Sequence, residues 1–391
     1  MKFNLRQYKQ IAEAAITRNV PVYAHFGVTH RCNLTCKMCG IWRYGNAKEE
    51  LSIPETHKVA AQMKRMGVAQ VSLGGGEPFA REDLEDIVEG FLAQDLNVRV
   101  LTNGIGVPVE RIDRLIDSGL RNFSISLDSL FPARFDYICE KEGSWDEAVR
   151  TMTHISQRLK GKKALPNINC VVSNLNLEEL PDMVRFAKAI GFTISFLPIE
   201  LLNDPSEGVQ NWEARFIRYR PEMGLHSEMN TKTLQQVEKR VDKAYEQLIE
   251  MKAAGWPILN STPYLQASWQ YLKTGKFPLE GCDAGSLYFS IAPNGQFTIC
   301  HRTQHQHVHF LDPNFETYFA SKLYEKRRIQ EAGGCEGCMR ACWIDTSSMF
   351  RTVRGFFETV KLSQQSVTSY PASFLQAQQW AKFENTTYSN M

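Results

Sequence analysis

The sequence predicts an α/β fold: an open, partial (β/α)6 barrel of the TIM type, followed by a small C-terminal α+β domain. Three observations predict it. Short β-branched and aromatic runs alternate with amphipathic, charge-decorated segments between residues 20 and 200, the pattern of parallel βαβ units with right-handed crossovers. About six such units are present, fewer than the eight that close a barrel. From about residue 260 the texture changes to short aromatic, glycine- and cysteine-containing stretches.

Residues 1–19 read as an N-terminal helical extension and 20–200 as the barrel. Its strands are expected at 20–29, 68–74, 96–102, 120–127, 166–172 and 192–199, and its helices at 53–66, 81–94, 108–118, 144–160 and 177–190. Pro54 and Pro108 mark helix starts, because a proline in the first turn gives up an N–H that has no partner there. Gly67, Gly119 and Gly191 stand where their helices stop. Residues 201–259 comprise a lid or linker, interrupted by Asp-Pro and glycine, and then a helix at 231–254. Within the small domain, 260–361, apolar alternation on both sides of Pro293-Asn294-Gly295 predicts a β-hairpin. One helix is expected across ETYFASKLYEKRRIQEAGG. The tail, 362–391, is rich in Gln, Ser and Thr and has no clear period.

The chain has 391 residues, with 45 Lys+Arg against 43 Asp+Glu and a net charge of +2. No global positive field draws in phosphates, which argues against a nucleic-acid partner. No apolar run approaches the ~18 residues of a membrane span, and MKFNLRQYKQ lacks the apolar core of a signal peptide. These features point to the cytoplasm, where thiols stay reduced and ten cysteines imply metal or redox chemistry more than disulfides. Cys139 and Cys170 stand alone and read as small buried hydrophobes. The other eight form two groups with ligand-like spacing.

Cys32, Cys36 and Cys39 form C-x3-C-x2-C directly after the first strand, where the loops of a parallel barrel carry its chemistry. Three thiolates can hold three irons of a four-iron cluster and leave the fourth iron open. A structural zinc is the alternative, with His25 or His30 as its fourth ligand. One βα unit later comes Gly74-Gly75-Gly76-Glu77-Pro78. Together these segments resemble the radical S-adenosylmethionine (SAM) superfamily, and the resemblance covers roughly residues 20–200. It implies a [4Fe–4S] cluster on the three cysteines, with the backbone of Gly75 and Gly76 and the acid of Glu77 holding the methionyl amino group of SAM. Ser126 and Asp128, on one face of Ser124-Ile125-Ser126-Leu127-Asp128, would contact its ribose or carboxylate. Asn103, beside Thr102, points into the same mouth. Met38 stands where many members carry an aromatic residue against adenine, and the backbone of Phe196-Leu197-Pro198 would also reach that base.

Cys282 and Cys300 flank the expected hairpin, and Cys335-x2-Cys338-x3-Cys342 follows the expected helix. This resembles the auxiliary-cluster extensions of radical SAM enzymes called Twitch and SPASM. Full SPASM domains use seven cysteines, so five suit Twitch, with one auxiliary [4Fe–4S] cluster in this iron–sulfur domain. The ligands so implied are Cys282, Cys300, Cys335 and Cys338, with Cys342 the fifth candidate; structural zinc is again the alternative. His301, His305, His307 and His309 read as a polar strand edge, and Arg215, Arg218, Tyr219 and Arg220 as an exposed helix face.

The resemblance implies reductive cleavage of SAM to a 5′-deoxyadenosyl radical that takes a hydrogen atom from substrate. With the auxiliary cluster as electron acceptor, the expected outcome is oxidation (dehydrogenation or hydroxylation) of a biosynthetic small molecule. Trp256, Trp269, Tyr264, Tyr271 and Phe277 suggest a tetrapyrrole or other bulky apolar intermediate. A flavodoxin or ferredoxin would supply electrons. The alternative is a peptide-modifying maturase, disfavoured because only about 20 residues precede the first strand. A zinc-binding structural protein is the non-enzyme alternative. The sequence assigns no proton donor or acceptor.

Overall fold

The computed structural model describes residues 5–199, 231–274, 282–299, 308–333, 339, 341–364 and 373–382. Six parallel strands follow one another in register: β1 (Tyr23–Thr29), β2 (Gln70–Gly75), β3 (Asn97–Thr102), β4 (Asn122–Ser126), β5 (Asn167–Val172) and β6 (Thr193–Pro198). The expected hairpin is β7 (Tyr288–Ile291) and β8 (Phe297–Thr298), paired antiparallel. β7 also pairs parallel with β1, Tyr23 opposite Tyr288 and Phe26 opposite Ile291. The order is therefore β6-β5-β4-β3-β2-β1-β7-β8. This is the α/β partial barrel read from the sequence, with the C-terminal hairpin continuing its sheet.

The crossover helices Ile53–Met66, Leu84–Leu92, Val109–Asp117, Ser144–Arg158 and Leu180–Ala189 fall where the periodicity places them. Ser52 and Glu55 form a capping box ahead of Pro54. Three departures have local causes. A short helix, Pro132–Cys139, occupies a stretch for which the sequence predicts no element, because eight residues carry too little periodicity to announce one. The single helix expected across 316–334 divides into Phe315–Phe319 and Lys322–Gly333. Ser321 divides it: its hydroxyl donates to Tyr318 O (2.6 Å) and accepts from the Tyr324 N–H (3.2 Å), capping a new start. In the tail, Phe374–Gln378 is helical behind a Ser373–Gln376 capping box. Arg150 stacks on Phe374 at 3.8 Å, and the Lys382 N–H donates to Leu130 O (2.9 Å), docking this segment on the barrel's outer layer.

The strands pack an apolar face against the helices. Val71, Val100, Phe123, Ile168 and Ile194 are fully buried against the helices. Closed barrels fill their interior with branched apolar side chains; here the interior is hollow, with apolar residues such as Leu101, Leu197 and Ile291 and a ring of polar ones in its lining. Ser72, Arg99, Ser124, Asn167, Ser195 and Ser290, one from each of β2–β7, line a cavity of about 930 Å³. The helix Leu5–Thr17 stands at its N-terminal end, with Tyr8 and Ile11 in the lining. Gln7 Nε2 ties that helix down through Ala69 O (3.2 Å) and Asp95 O (2.7 Å).

The aromatics expected to hold a bulky apolar substrate are packing residues. Tyr264 and Tyr271 are buried in the helix Thr262–Thr274, Tyr264 Oη donates to Met339 O, and Trp269 Nε1 donates to Asp242 (2.7 Å). Trp256 lies beneath Lys188 Nζ at 4.2 Å. Phe277 and the lid residues Arg215, Arg218, Tyr219 and Arg220 lie outside the described residues. Among the described residues no helix is long and apolar enough to cross a membrane.

Beneath the hairpin, Phe289, Phe297, Phe310 and Phe315 pack with centroids 4.8–5.6 Å apart along the chain of contacts. Phe289→Ala should cost about 3–5 kcal/mol in urea unfolding. Because β7 is bonded to β1, barrel and hairpin should still unfold in one transition; two resolved transitions would refute their shared sheet.

Candidate functional site

Cys32, Cys36 and Cys39 stand on the loop after β1 and all three line the mouth of the cavity, partly buried. Glu50 holds this loop from behind. It accepts from Thr29 Oγ1 and from Arg31 Nε and Nη2 (both 2.9 Å). Arg81 donates to Val28 O (3.1 Å) and Leu51 O (3.0 Å) and pairs with Asp83. On the other side, the Lys37 N–H donates to Ile138 O (2.9 Å), anchoring the loop on the helix Pro132–Cys139. The Cys139 thiol contacts that of Cys36, and this contact and burial both raise its pKa. Asn103 Nδ2 donates to Asn33 Oδ1 (2.8 Å), tying the end of β3 to the same loop.

The end of β2 is zipped to the cysteine loop by backbone bonds: Gly76 N–H to Thr29 O and Glu77 N–H to Arg31 O, both 2.8 Å. A Cβ on Gly75, where φ is +130°, would lie 1.9 Å from Thr29 O, and one on Gly76 would lie 2.2 Å from Arg31 O. The close approach that demands these glycines is thus made already by the loop, not only by a ligand. Glu77 is buried behind them. Its carboxylate accepts from Thr102 Oγ1 (2.8 Å), Asn103 N–H (2.8 Å) and Phe79 N–H (3.1 Å), and burial pushes its pKa up to about 7.

Gly75, Gly76, Asn103, Ser126, Asp128 and Met38 all line the mouth. Glu77 does not, since its oxygens face β3. Leu197 and Pro198 line the far wall, whereas the Phe196 ring is buried and its N–H donates to Asn260 Oδ1 (2.6 Å). Asp128 Oδ1 accepts from the Val171 N–H (2.7 Å), and burial pushes its carboxyl up to about 7. A further acid, Asp345, lines the cavity from the helix Ala341–Arg351 and accepts from Ser261 Oγ (2.6 Å). Burial pushes it up to about 6. Neither Asp345 nor the Cys139 contact is visible in the sequence, because both are set by packing between distant segments.

Burial pushes Cys32 up to about 12, so a thiolate there needs a compensating positive centre. Among the described residues no three His, Cys, Asp or Glu side chains converge on one ion. A cubane spreads its thiolates over several irons and does not need such convergence, so three thiols of one loop opening onto a cavity fit it. Of the second group, Cys282 Sγ lies 3.0 Å from Tyr288 Oη, which is 3.1 Å from Ser347 Oγ on the helix Ala341–Arg351. Position 342 is about one and a half turns earlier on that helix. Cys300, Cys335, Cys338, His301, His305 and His307 lie outside the described residues. His309 is exposed, its Nε2 3.0 Å from Asn294 O. Cys170 is buried as expected, its sulfur accepting from Asn176 Nδ2 (3.7 Å).

Residues 26–187 match the Radical SAM superfamily. The chain carries a radical SAM domain. That family implies a [4Fe–4S] cluster and SAM as cofactors. PqqA peptide cyclase of Rhizobium meliloti (strain 1021) is 31% identical over 162 residues, 41% of this chain and 42% of that protein. The chain thus spans less than half the length of this relative. Mycofactocin maturase MftC of Mycolicibacterium smegmatis is 26% identical over 328 residues, 82% of this chain and 76% of that one. Streptococcus suis SuiB bound to S-adenosylmethionine shares the fold, with a TM-score of 0.58 and 15% identity over 82% of this chain and 71% of SuiB.

Asp128 gives the radical SAM domain a testable pH dependence. Its folded-state pKa of about 7 exceeds the ordinary 3.8, so the native state holds the proton longer. The stability it contributes is full below about pH 4 and is lost as pH rises through about 7. Asp128→Asn should flatten the fall in unfolding free energy between about pH 5 and 7.5 and stabilise the protein at the higher pH by about 2–4 kcal/mol. Urea unfolding at both pH values measures this; equal slopes in variant and wild type would refute it.

Proposed function

We propose that this protein is a radical SAM enzyme that modifies a peptide. The observation that carries the reading is the alignment with a maturase, MftC, over 82% of the chain, well past the end of the radical SAM domain. PqqA peptide cyclase, named for a peptide substrate, supports it over the barrel. The hollow lumen has room for an inserted chain, and Trp269, Tyr264 and Tyr271, from which a bulky apolar small molecule was expected, have their side chains used in packing.

In this reading Cys32, Cys36 and Cys39 hold the SAM-binding cluster, and Glu50 and Arg81 keep their loop in place. A cluster held there would supply the electron for reductive cleavage of SAM, and with it the means to take a hydrogen atom from the peptide. Gly75 and Gly76 present backbone at the mouth, with Glu77 holding their turn on β3. Asn103, Ser126 and Asp128 offer polar contacts to SAM, and Met38 packs against its base. Residues 260–361 are assigned one auxiliary cluster from among Cys282, Cys300, Cys335, Cys338 and Cys342, and a small redox protein such as a flavodoxin or ferredoxin is assigned as electron donor.

Reconstituted without oxygen and given dithionite and SAM, the full chain should release 5′-deoxyadenosine, and Cys36→Ala should lower that rate at least 100-fold. Peptides encoded beside its gene should change mass on incubation; a mass change confined to non-peptide metabolites would overturn the peptide reading. Iron analysis tests the second site separately. Wild type should bind about eight irons per chain, two four-iron clusters, and Cys282→Ala about four. An unchanged iron content in Cys282→Ala would remove Cys282 from the ligand set.

A further inference from the structure

Among the described residues three arginines are buried, and two of them are paired. Arg81 meets Asp83, and Arg134 meets Glu179. The third, Arg99 on β3, is 5% exposed and makes three hydrogen bonds, all to neutral acceptors. Its Nη1 donates to Phe123 O (3.1 Å) and Ser124 Oγ (3.0 Å), and its Nη2 to Leu165 O (3.1 Å). Of the five guanidinium N–H groups, the one on Nε and one on Nη2 have no acceptor among the described residues. Those two atoms form an edge that a carboxylate can take with both oxygens.

Arg99 belongs to the lining of the cavity, and its neighbours on β2, β4 and β5, Ser72, Ser124 and Asn167, are neutral. The acids that line the cavity are engaged elsewhere: Asp128 with the Val171 N–H, Asp345 with Ser261. Arg99 lies three residues before Thr102, about 10 Å down the strand from the mouth. A glutamine would keep hydrogen bonds to neutral acceptors without burying a charge, so strand-tethering alone does not account for an arginine here.

We propose that Arg99 is a specificity-determining residue that receives a carboxylate of the substrate deep in the lumen. It rests on the peptide reading in one respect: the carboxylate is then a peptide's C-terminus or an acidic side chain. The depth of Arg99 corresponds to roughly three extended residues. The pairing would therefore set how far the chain enters, and so which carbon stands below the SAM site.

Calorimetric titration of the reconstituted full chain tests this with four probes: glutarate, acetyl-tetraglycine with a free carboxylate, acetyl-Gly-Gly-Glu-Gly-amide and acetyl-Gly-Gly-Gln-Gly-amide. At least one acidic peptide should bind tenfold or more tightly than the glutamine peptide. Arg99→Gln should erase that difference, and Arg99→Lys should retain part of it. Hydrogen–deuterium exchange of wild type, which needs no variant to fold, should show carboxylate-dependent protection across 97–102 and 122–126. Equal binding of acidic and neutral peptides, or a preference that survives Arg99→Gln, overturns the proposal and leaves the peptide reading standing. Glutarate binding that depends on Arg99, with no peptide bound, supports the carboxylate site and counts against the peptide reading. No binding by any carboxylate probe at millimolar concentration overturns it.

Discussion

The ends of β1, β2 and β3 are fastened together around one buried acid. Glu77 leaves β2 with its N–H on the cysteine loop and its carboxylate on Thr102 and Asn103 of β3. Asn103 in turn reaches back to Asn33 within that loop. A closed circuit of hydrogen bonds thus fixes where three thiols stand relative to the strand ends that frame the cavity. The circuit closes only because Gly75 and Gly76 let two backbones meet at distances no side chain permits. Glu50 and Arg81 complete it from the rear, as a buried ionic pair whose hydrogen bonds run to backbone and to the loop's own Arg31.

A barrel with a hollow lumen must find its cohesion elsewhere. The hydrophobic contribution comes from the shell between strands and helices, where Val71, Phe123, Ile168 and their like are sealed from water. The C-terminal part of the chain enlarges that shell. Its hairpin extends the sheet past β1, its phenylalanines pack beneath the hairpin, and the last helix clasps Arg150. The interior is left free to hold a ligand, beside an arginine that has no carboxylate partner among the described residues. This division separates what stabilises the protein from what it recognises, and substitutions inside the lumen need not weaken the fold.

The hollow lumen also explains why the strands were legible. Buried parallel strands ordinarily read as continuous apolar runs, but here Val71-Ser72-Leu73 or Phe123-Ser124-Ile125 alternates, because one face meets helices and the other a cavity. The cysteine spacing and the glycines before Glu77 were legible because each packs its geometry into a few residues. Arg99 passed unnoticed among ordinary strand residues, since nothing local says that its neighbours across the barrel are neutral. Cys139 read as core, which it is, but its contact with Cys36 depends on where the helix Pro132–Cys139 docks. The aromatics before Cys282 misled for the converse reason: composition states how much apolar surface is present, not which way it faces.

β1 carries the cysteine loop and lies between β2 and β7. One of its partners follows within about fifty residues, whereas the other begins only at Tyr288. While the chain leaves the ribosome, the β7-side edge of β1 therefore stays without its strand until some 260 further residues have been made. An unpaired edge is an invitation to other chains, and the strand so exposed is the one that leads into the three thiols. Folding of the cysteine loop and completion of the sheet thus share one clock, set by how late in the sequence the final neighbour of β1 is encoded.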